Sequence, residues 1–160
     1  MTLTAEEMSA RDAWFREHWS RHVPFNREIG LEIVDWEPGF VRARLKYQDK
    51  LSAHDGVFHG GVLATALDSV GGGCVAAGHD YNLGSRFTTV SMTVQYMGVA
   101  PGDPEVLVEG TVVKRGRRLN FSRSQVLTLD GRVLAEAVLT ISASGERPRL
   151  GTAEGQPASS

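Results

Sequence analysis

Nineteen consecutive residues, Gly60 to Gly78, read GGVLATALDSVGGGCVAAG, and Asp68 is the only charge among them. At about 100° per residue, Leu63, Ala66, Leu67, Val70, Cys74 and Ala77 fall on one stripe, which predicts a helix packed against a sheet. The opposite side carries Gly61, Ala64, Thr65, Asp68, Gly72 and Val75. A solvated helix face normally carries Lys, Glu and Arg, so this second side is expected to be covered too, by another subunit or a thin bound ligand. Gly71, Gly72 and Gly73 each cost about 1 kcal/mol relative to alanine inside a helix. Glycine in such a place suits the close approach of another backbone or a ligand. A buried carboxylate without a partner costs roughly several kcal/mol, so Asp68 points to chemistry or to a specific partner.

The flanking sequence supplies the sheet. Leu31 to Trp36 and Val41 to Tyr47 read as strands around a Pro38-Gly39 turn, and in the second Val41, Ala43, Leu45 and Tyr47 alternate with Arg42, Arg44 and Lys46. A loop from Gln48 to Phe58 leads into the helix. Beyond it, Thr88 to Met97 alternates Val90, Met92, Val94 and Tyr96 against Thr89, Ser91, Thr93 and Gln95. A turn at Pro101 to Pro104 precedes strands at Glu105 to Val113, Leu119 to Leu129 and Val133 to Ala143, the last two joined at Asp130-Gly131. Ahead of all this, residues 4–22 form a helix pattern: Thr4 and Glu7 have capping-box spacing, and Met8, Phe15 and Trp19 share a face before Pro24 interrupts. The segment from Gly145 onward is polar and aperiodic and reads as a disordered tail. The fold class is therefore α+β, one long helix lying on a curved antiparallel sheet, with an extra N-terminal helix.

Composition narrows the functions open to such a domain. The 160 residues suffice for one core, and the formal net charge of −2 favours neither nucleic acid nor an anionic membrane. Asp68 and the glycines break the longest apolar run, which makes it a poor membrane span. The N-terminus holds acids and an early tryptophan in place of a signal sequence, and the single Cys74 has no intrachain partner, so a cytoplasmic location is expected. Cys74 lies on the apolar stripe and reads as a packing residue. The histidines at 18, 22, 54, 59 and 79 show no ligand spacing with cysteine, so no metal is expected.

His59 stands directly before the helix, and Gly60 and Gly61 open it. Two glycines at a helix start present N–H groups unobstructed by side chains at the positive end of the dipole, suited to a carbonyl oxygen or an oxyanion. Taken alone they are also what a tight turn into a helix requires.

His59-Gly60-Gly61, Asp68 in the following helix, and the strand TTVSMTVQYM before Pro101-Gly102 together resemble the hotdog-fold acyl-CoA thioesterases. The likeness is to the phenylacetate-degradation type and its 4-hydroxybenzoyl-CoA thioesterase relatives, and it spans about residues 28–143. It implies a hotdog domain over 26–144, an N-terminal helical extension over 1–25 and a tail over 145–160. Asp68 becomes the catalytic carboxylate, as general base on water or as nucleophile, and the Gly60 N–H polarises the thioester carbonyl. Thr89 aligns with a hydroxyl residue that holds the water in some relatives, although the alternation places it on the polar strand face. His59 is implied to orient the loop or the thioester, with a purely structural histidine left open. The family pairs through its sheets into homodimers, often homotetramers, with active sites formed between subunits. Relatives often carry asparagine six residues before the histidine. Here that position is Ala53, followed by His54, which either takes over the polar role or marks a reshaped pocket.

Thioester hydrolysis asks for little more than oriented water, one carboxylate and an oxyanion donor, so no cofactor is expected beyond the coenzyme A of the substrate. Lys114, Arg115, Arg117 and Arg118 surround Gly116 in a hairpin, read either as a solvated tip or as a clamp in which Arg115, Arg117 and Arg118 meet coenzyme A phosphates. No aromatic platform accompanies these residues, which disfavours nucleic acid. The first reading is thus an acyl-CoA thioesterase for aryl or medium-chain acyl groups, with Gly61 and His54 beside the substrate. A hotdog dehydratase would need a histidine paired with an acid in a different pattern. A non-catalytic acyl-CoA sensor is the alternative from another class, although residues 1–25 are too short for a helix-turn-helix.

Overall fold

The computed structural model describes residues 2–77, 79, 85–99, 104–145 and 149–150. Strand β1 (Thr2–Leu3) leads into helix α1 (Ala5–Arg21) and a short helix α2 (Pro24–Ile29). Strands β2 (Leu31–Glu37) and β3 (Phe40–Lys46) follow, then a 3-10 turn and the small hairpin of β4 (Ser52–His54) and β5 (Val57–Phe58). Helix α3 (Gly60–Ala76) precedes β6 (Arg86–Tyr96), β7 (Glu105–Arg115), β8 (Leu119–Leu127), β9 (Val133–Ser144) and β10 (Arg149–Leu150).

Six strands make one antiparallel sheet in the order β2-β3-β7-β8-β9-β6, and α3 lies across its inner face. This is the expected α+β hotdog arrangement. The stripe of α3 is buried as its periodicity required, with Ala66, Leu67, Val70 and Cys74 fully enclosed against Val106, Val108, Val126 and Ile141 of the sheet. The helix comes so close that a Cβ at Gly110 of β7 would lie 2.5 Å from the Val70 carbonyl oxygen, so only glycine fits there. On the outer face of the β2-β3-β7 end, Arg42 pairs with Asp35 and Glu109, and Arg44 with Glu32 and Glu105. Those pairs account for the polar half of the β3 alternation.

At the N-terminus the capping box forms as its spacing predicted: the Glu7 N–H donates to Thr4 Oγ1 at 3.2 Å and the Thr4 N–H to the Glu7 carboxylate at 2.8 Å. Phe15 stacks on Trp36 with ring centroids 5.5 Å apart, and Trp19 Nε1–H donates to the Ser69 carbonyl of α3 at 2.9 Å. Pro24 ends the α1 pattern but also opens α2, because proline at the first helical position gives up only an N–H that had no partner anyway. Asn26, 1 % exposed, donates to the Trp19 carbonyl and accepts from Ser69 Oγ at 2.7 Å, tying α1, α2 and α3 together. The N-terminal extension is therefore docked on the domain, and a boundary at residue 25 passes through this network.

Of the expected tail over 145–160, the structure describes residues 145 and 149–150. Arg149–Leu150 pairs in parallel with Thr2–Leu3, because a backbone ladder requires no side-chain periodicity. The rest of that segment, residues 146–148 and 151–160, lies outside the described residues, as does most of the turn expected at Pro101 to Pro104. No helix among the described residues is long and apolar enough to cross a membrane.

Candidate active site

Asp68 sits in the middle of α3 on the side turned away from the apolar stripe, and it is half-buried, less enclosed than its setting suggested. It does have a partner. Thr89 Oγ1–H donates to Asp68 Oδ1 at 2.7 Å, and Oδ2 accepts no hydrogen bond among the described residues. This contact corrects the strand phase read from alternation, in which Thr89 faced away from the core. Thr89 pairs with Ile141 and Ser91 with Thr140 of β9, so Val90 between them is the extra residue of a β-bulge. One inserted residue inverts the side-chain phase. Val90 is consequently 59 % exposed, while Phe87 and Thr89 before the bulge and Met92 and Val94 after it turn toward the helix.

The three consecutive glycines divide by face. Beside Gly71 stand the Leu139 methyls and beside Gly73 the rings of Trp36 and Trp19, whereas a Cβ at Gly72 would meet nothing. Gly72 is one turn beyond Asp68, so the acid looks onto an open helix surface. Val75, assigned to that surface by the helical wheel, is instead buried in the core. Cys74 is also enclosed, donates its S–H to the Gly71 carbonyl, and is pushed up to about 12 by burial, so it packs and does not react.

The start of α3 is built around His59. Its carbonyl accepts from Val62 and Leu63, and its Nδ1 accepts from the Gly61 N–H at 2.9 Å. With its Nδ1 accepting from Gly61, the ring is the N-cap of the helix. The same bond occupies the Gly61 N–H. The Gly60 N–H, by contrast, has no acceptor among the described residues and stands at the positive end of the helix. Tyr96, at the end of β6, donates its hydroxyl to the Gly60 carbonyl at 2.7 Å and lays its ring against the glycine. Nothing in the alternation of β6 singled out Tyr96, since the bond depends on where the strand ends relative to the helix.

The remaining candidates fall elsewhere. His54 is exposed on β4, and no hydrogen bond among the described residues links it to Asp68 or Gly60. Arg115 turns inward to the end of α3, where its guanidinium reaches the carbonyls of Val75 at 3.2 Å, Cys74 at 3.4 Å and Ala77 at 3.5 Å. A cation at a helix C-terminus is favourable, so Arg115 serves the helix. Arg117 and Arg118 stay exposed at the tip of the β7–β8 hairpin.

Within one chain the amide donor and the carboxylate do not meet. Gly60 and Asp68 are eight residues apart on one helix, a rise of about 12 Å. A single thioester carbonyl cannot touch both.

Residues 55–135, just over half of the chain, match the family model described as the thioesterase superfamily. The chain belongs to the thioesterase superfamily. Its reaction class is thioester hydrolysis. Among curated relatives, this thioesterase is 26 % identical over 133 residues to the medium/long-chain acyl-CoA thioesterase YigI of Escherichia coli K12, covering 74 % of this chain and 84 % of that one. It is likewise 26 % identical over 99 residues to human acyl-coenzyme A thioesterase 13, covering 61 % and 69 %. A thioesterase family protein from Silicibacter pomeroyi superposes with a TM-score of 0.75 at 24 % identity, over 84 % of this chain and 98 % of that one. Zebra fish thioesterase superfamily member 2 superposes with a TM-score of 0.70 at 23 % identity, over 90 % and 100 %. At those identities the two structures speak for the fold.

Proposed function

We propose that this thioesterase hydrolyses acyl-CoA to a free acid and coenzyme A at sites shared between two copies of the chain. The observation that carries the reading is the spacing along α3: an amide at Gly60 with no acceptor among the described residues and an oriented carboxylate at Asp68, about 12 Å apart. Two such helices packed antiparallel across a two-fold axis bring Gly60 of one copy to Asp68 of the other, twice over. The open surface at Gly72 gives the helices room to meet.

Each residue then has a role. The Gly60 N–H, backed by the helix dipole, binds the thioester carbonyl oxygen and the oxyanion it becomes. Asp68, its Oδ1 held by Thr89, takes a proton from water through Oδ2 as the water oxygen attacks the carbonyl carbon. The tetrahedral adduct collapses, the C–S bond breaks, and the proton on Asp68 passes to the departing thiolate. His59 keeps the helix start in place. Arg117 and Arg118 supply exposed cations for the coenzyme A phosphates. The outward sheet face leaves Leu119, Phe121 and Val138 at 45, 40 and 52 % exposure, which supports a further contact between dimers in a tetramer.

Thiol release from a panel of acyl-CoA thioesters, wild type beside Asp68→Asn, tests the reading. The wild type should turn over. The variant, equal in shape, should melt at the same temperature and lose about a hundredfold or more of kcat, the usual worth of a general base. Acyl-CoA binding by the wild type without thiol release would identify a binding module in its place.

A further inference from the structure

An amide that stabilises an oxyanion has to be aimed before the charge forms, because reorganisation would cancel the gain. Gly60 and Gly61 carry no Cβ, so two such residues in succession cannot hold that aim by themselves. Two peptide planes meet at the Gly60 Cα. One contains the His59 carbonyl and the Gly60 N–H, the other the Gly60 carbonyl and the Gly61 N–H. The first is held through its oxygen, which accepts from the N–H groups of Val62 at 2.9 Å and Leu63 at 3.3 Å. The second is held at both ends: the Tyr96 hydroxyl donates to the Gly60 carbonyl at 2.7 Å, and the Gly61 N–H donates to His59 Nδ1 at 2.9 Å. We propose that Tyr96 is a positioning residue for the oxyanion donor: its hydroxyl and the His59 ring clamp the peptide between Gly60 and Gly61, and the clamp fixes the direction of the Gly60 N–H. The assignment rests on the thioesterase reading above and adds a residue from a second element to the donor half of the site.

The placement of Tyr96 argues for its hydroxyl over its ring. The side chain is 54 % exposed and stands outside the hydrophobic core, so packing gives little reason for a tyrosine there. Its ring nonetheless lies against Gly60, where a Cβ would be 3.4 Å from Cε1 and Cζ, and that contact sets the hydroxyl on the carbonyl. A carbonyl that accepts a hydrogen bond makes the N–H of the same peptide a better donor, so the Tyr96 and His59 bonds strengthen each other. Tyr96 also follows Met92 and Val94 in the phase that the bulge at Val90 sets. One strand, β6, therefore orients both halves of the chemistry, Thr89 holding the Asp68 carboxylate and Tyr96 the peptide beside the amide donor.

The test separates turnover from binding in wild type, Tyr96→Phe, His59→Asn and His59→Ala. Turnover is measured on the acyl-CoA that the wild type hydrolyses fastest. Binding is read from the inhibition constant of S-hexyl-coenzyme A, a thioether with no carbonyl for the amide to meet. Tyr96→Phe keeps the ring, loses only an exposed hydroxyl and should melt with the wild type. Its kcat should fall about five- to tenfold, the worth of one neutral hydrogen bond, while KM and the thioether inhibition constant hold within about twofold. His59→Asn keeps a side-chain oxygen that accepts at a helix start and should stay within about threefold of the wild-type kcat, whereas His59→Ala should lose about tenfold. Tyr96→Phe at the wild-type rate, or a loss of rate matched by an equal loss of thioether affinity, overturns the clamp and leaves the thioesterase reading standing. So does His59→Asn falling as far as His59→Ala. Absence of thiol release by the wild type from every acyl-CoA overturns both.

Discussion

Thr89 shows how one backbone irregularity assigns a role. Its hydroxyl reaches Asp68 only because the ladder to β9 slips at Val90. The identity of the acid was legible from its isolation among small apolar residues. The partner was reached only through the family resemblance and against the alternation, since a bulge leaves no residue-type signature in a strand that alternates regularly through it. Thr89 positions the carboxylate and does not touch substrate in the proposed reaction. A hydrogen bond to a charged group contributes about 1.5–3 kcal/mol, so Thr89→Val should cost about ten- to a hundredfold in kcat. KM should hold within about twofold, and Thr89→Ser, which keeps the hydroxyl, should restore the rate. A loss of rate that serine does not restore would make Thr89 a packing residue only.

At the scale of elements, the faces of helices were easier to read than those of strands. The stripe of α3 followed its period because nothing interrupts a helix from His59 to Ala77. In β8 the inner face is Asn120, Ser122 and Ser124, all buried, while Leu119 and Phe121 face outward. Polarity alone would reverse that strand. The serines are inside because α3 lies close, and their hydroxyls donate to the Gly71 and Leu67 carbonyls at 2.9 Å. Helix α1 carries a burden of a different kind. Asp12 lines the same cleft as Trp36, its Oδ1 is buried without a hydrogen-bond partner among the described residues, and burial first, then the charge of Glu37, push its carboxyl up to about 6. Between its ordinary value of 3.8 and about 6, the folded chain holds a proton that the unfolded chain has lost. Folding stability from this group therefore falls as pH rises through that window. Asp12→Asn removes the loss and should stabilise the protein at about pH 7.5 by about 1 kcal/mol, after discounting for solvent screening. The advantage should shrink at about pH 4.5. Thermal melts at the two pH values decide it, and equal gains at both would show that Asp12 stays ionised throughout.

For the whole molecule the central matter is that the two halves of the site stand apart on α3, the Gly60 amide at its start and Asp68 at its middle. Asp68→Asn and Gly60→Pro should each be inactive, and proline is acceptable at Gly60 because it removes only the N–H at the first helical position. If two copies share each site, a mixed dimer regains one intact site of two, and random subunit exchange should return about a quarter of wild-type turnover. Mixtures that remain at background would place donor and acid in one chain. The sequence by itself determined the α+β class, the glycine-opened helix with its buried stripe and the acid at its centre, the N-terminal helix and the six strands of the sheet, because periodicity and isolated charge are local properties. Tertiary structure alone decided which face Thr89 and Ser122 present, that Arg115 closes a helix while Arg117 and Arg118 stay exposed, and that Tyr96 meets Gly60. Those facts depend on register, on a one-residue bulge and on where separate elements end against each other. No residue type encodes them, because each is a distance between parts of the chain that only folding brings together.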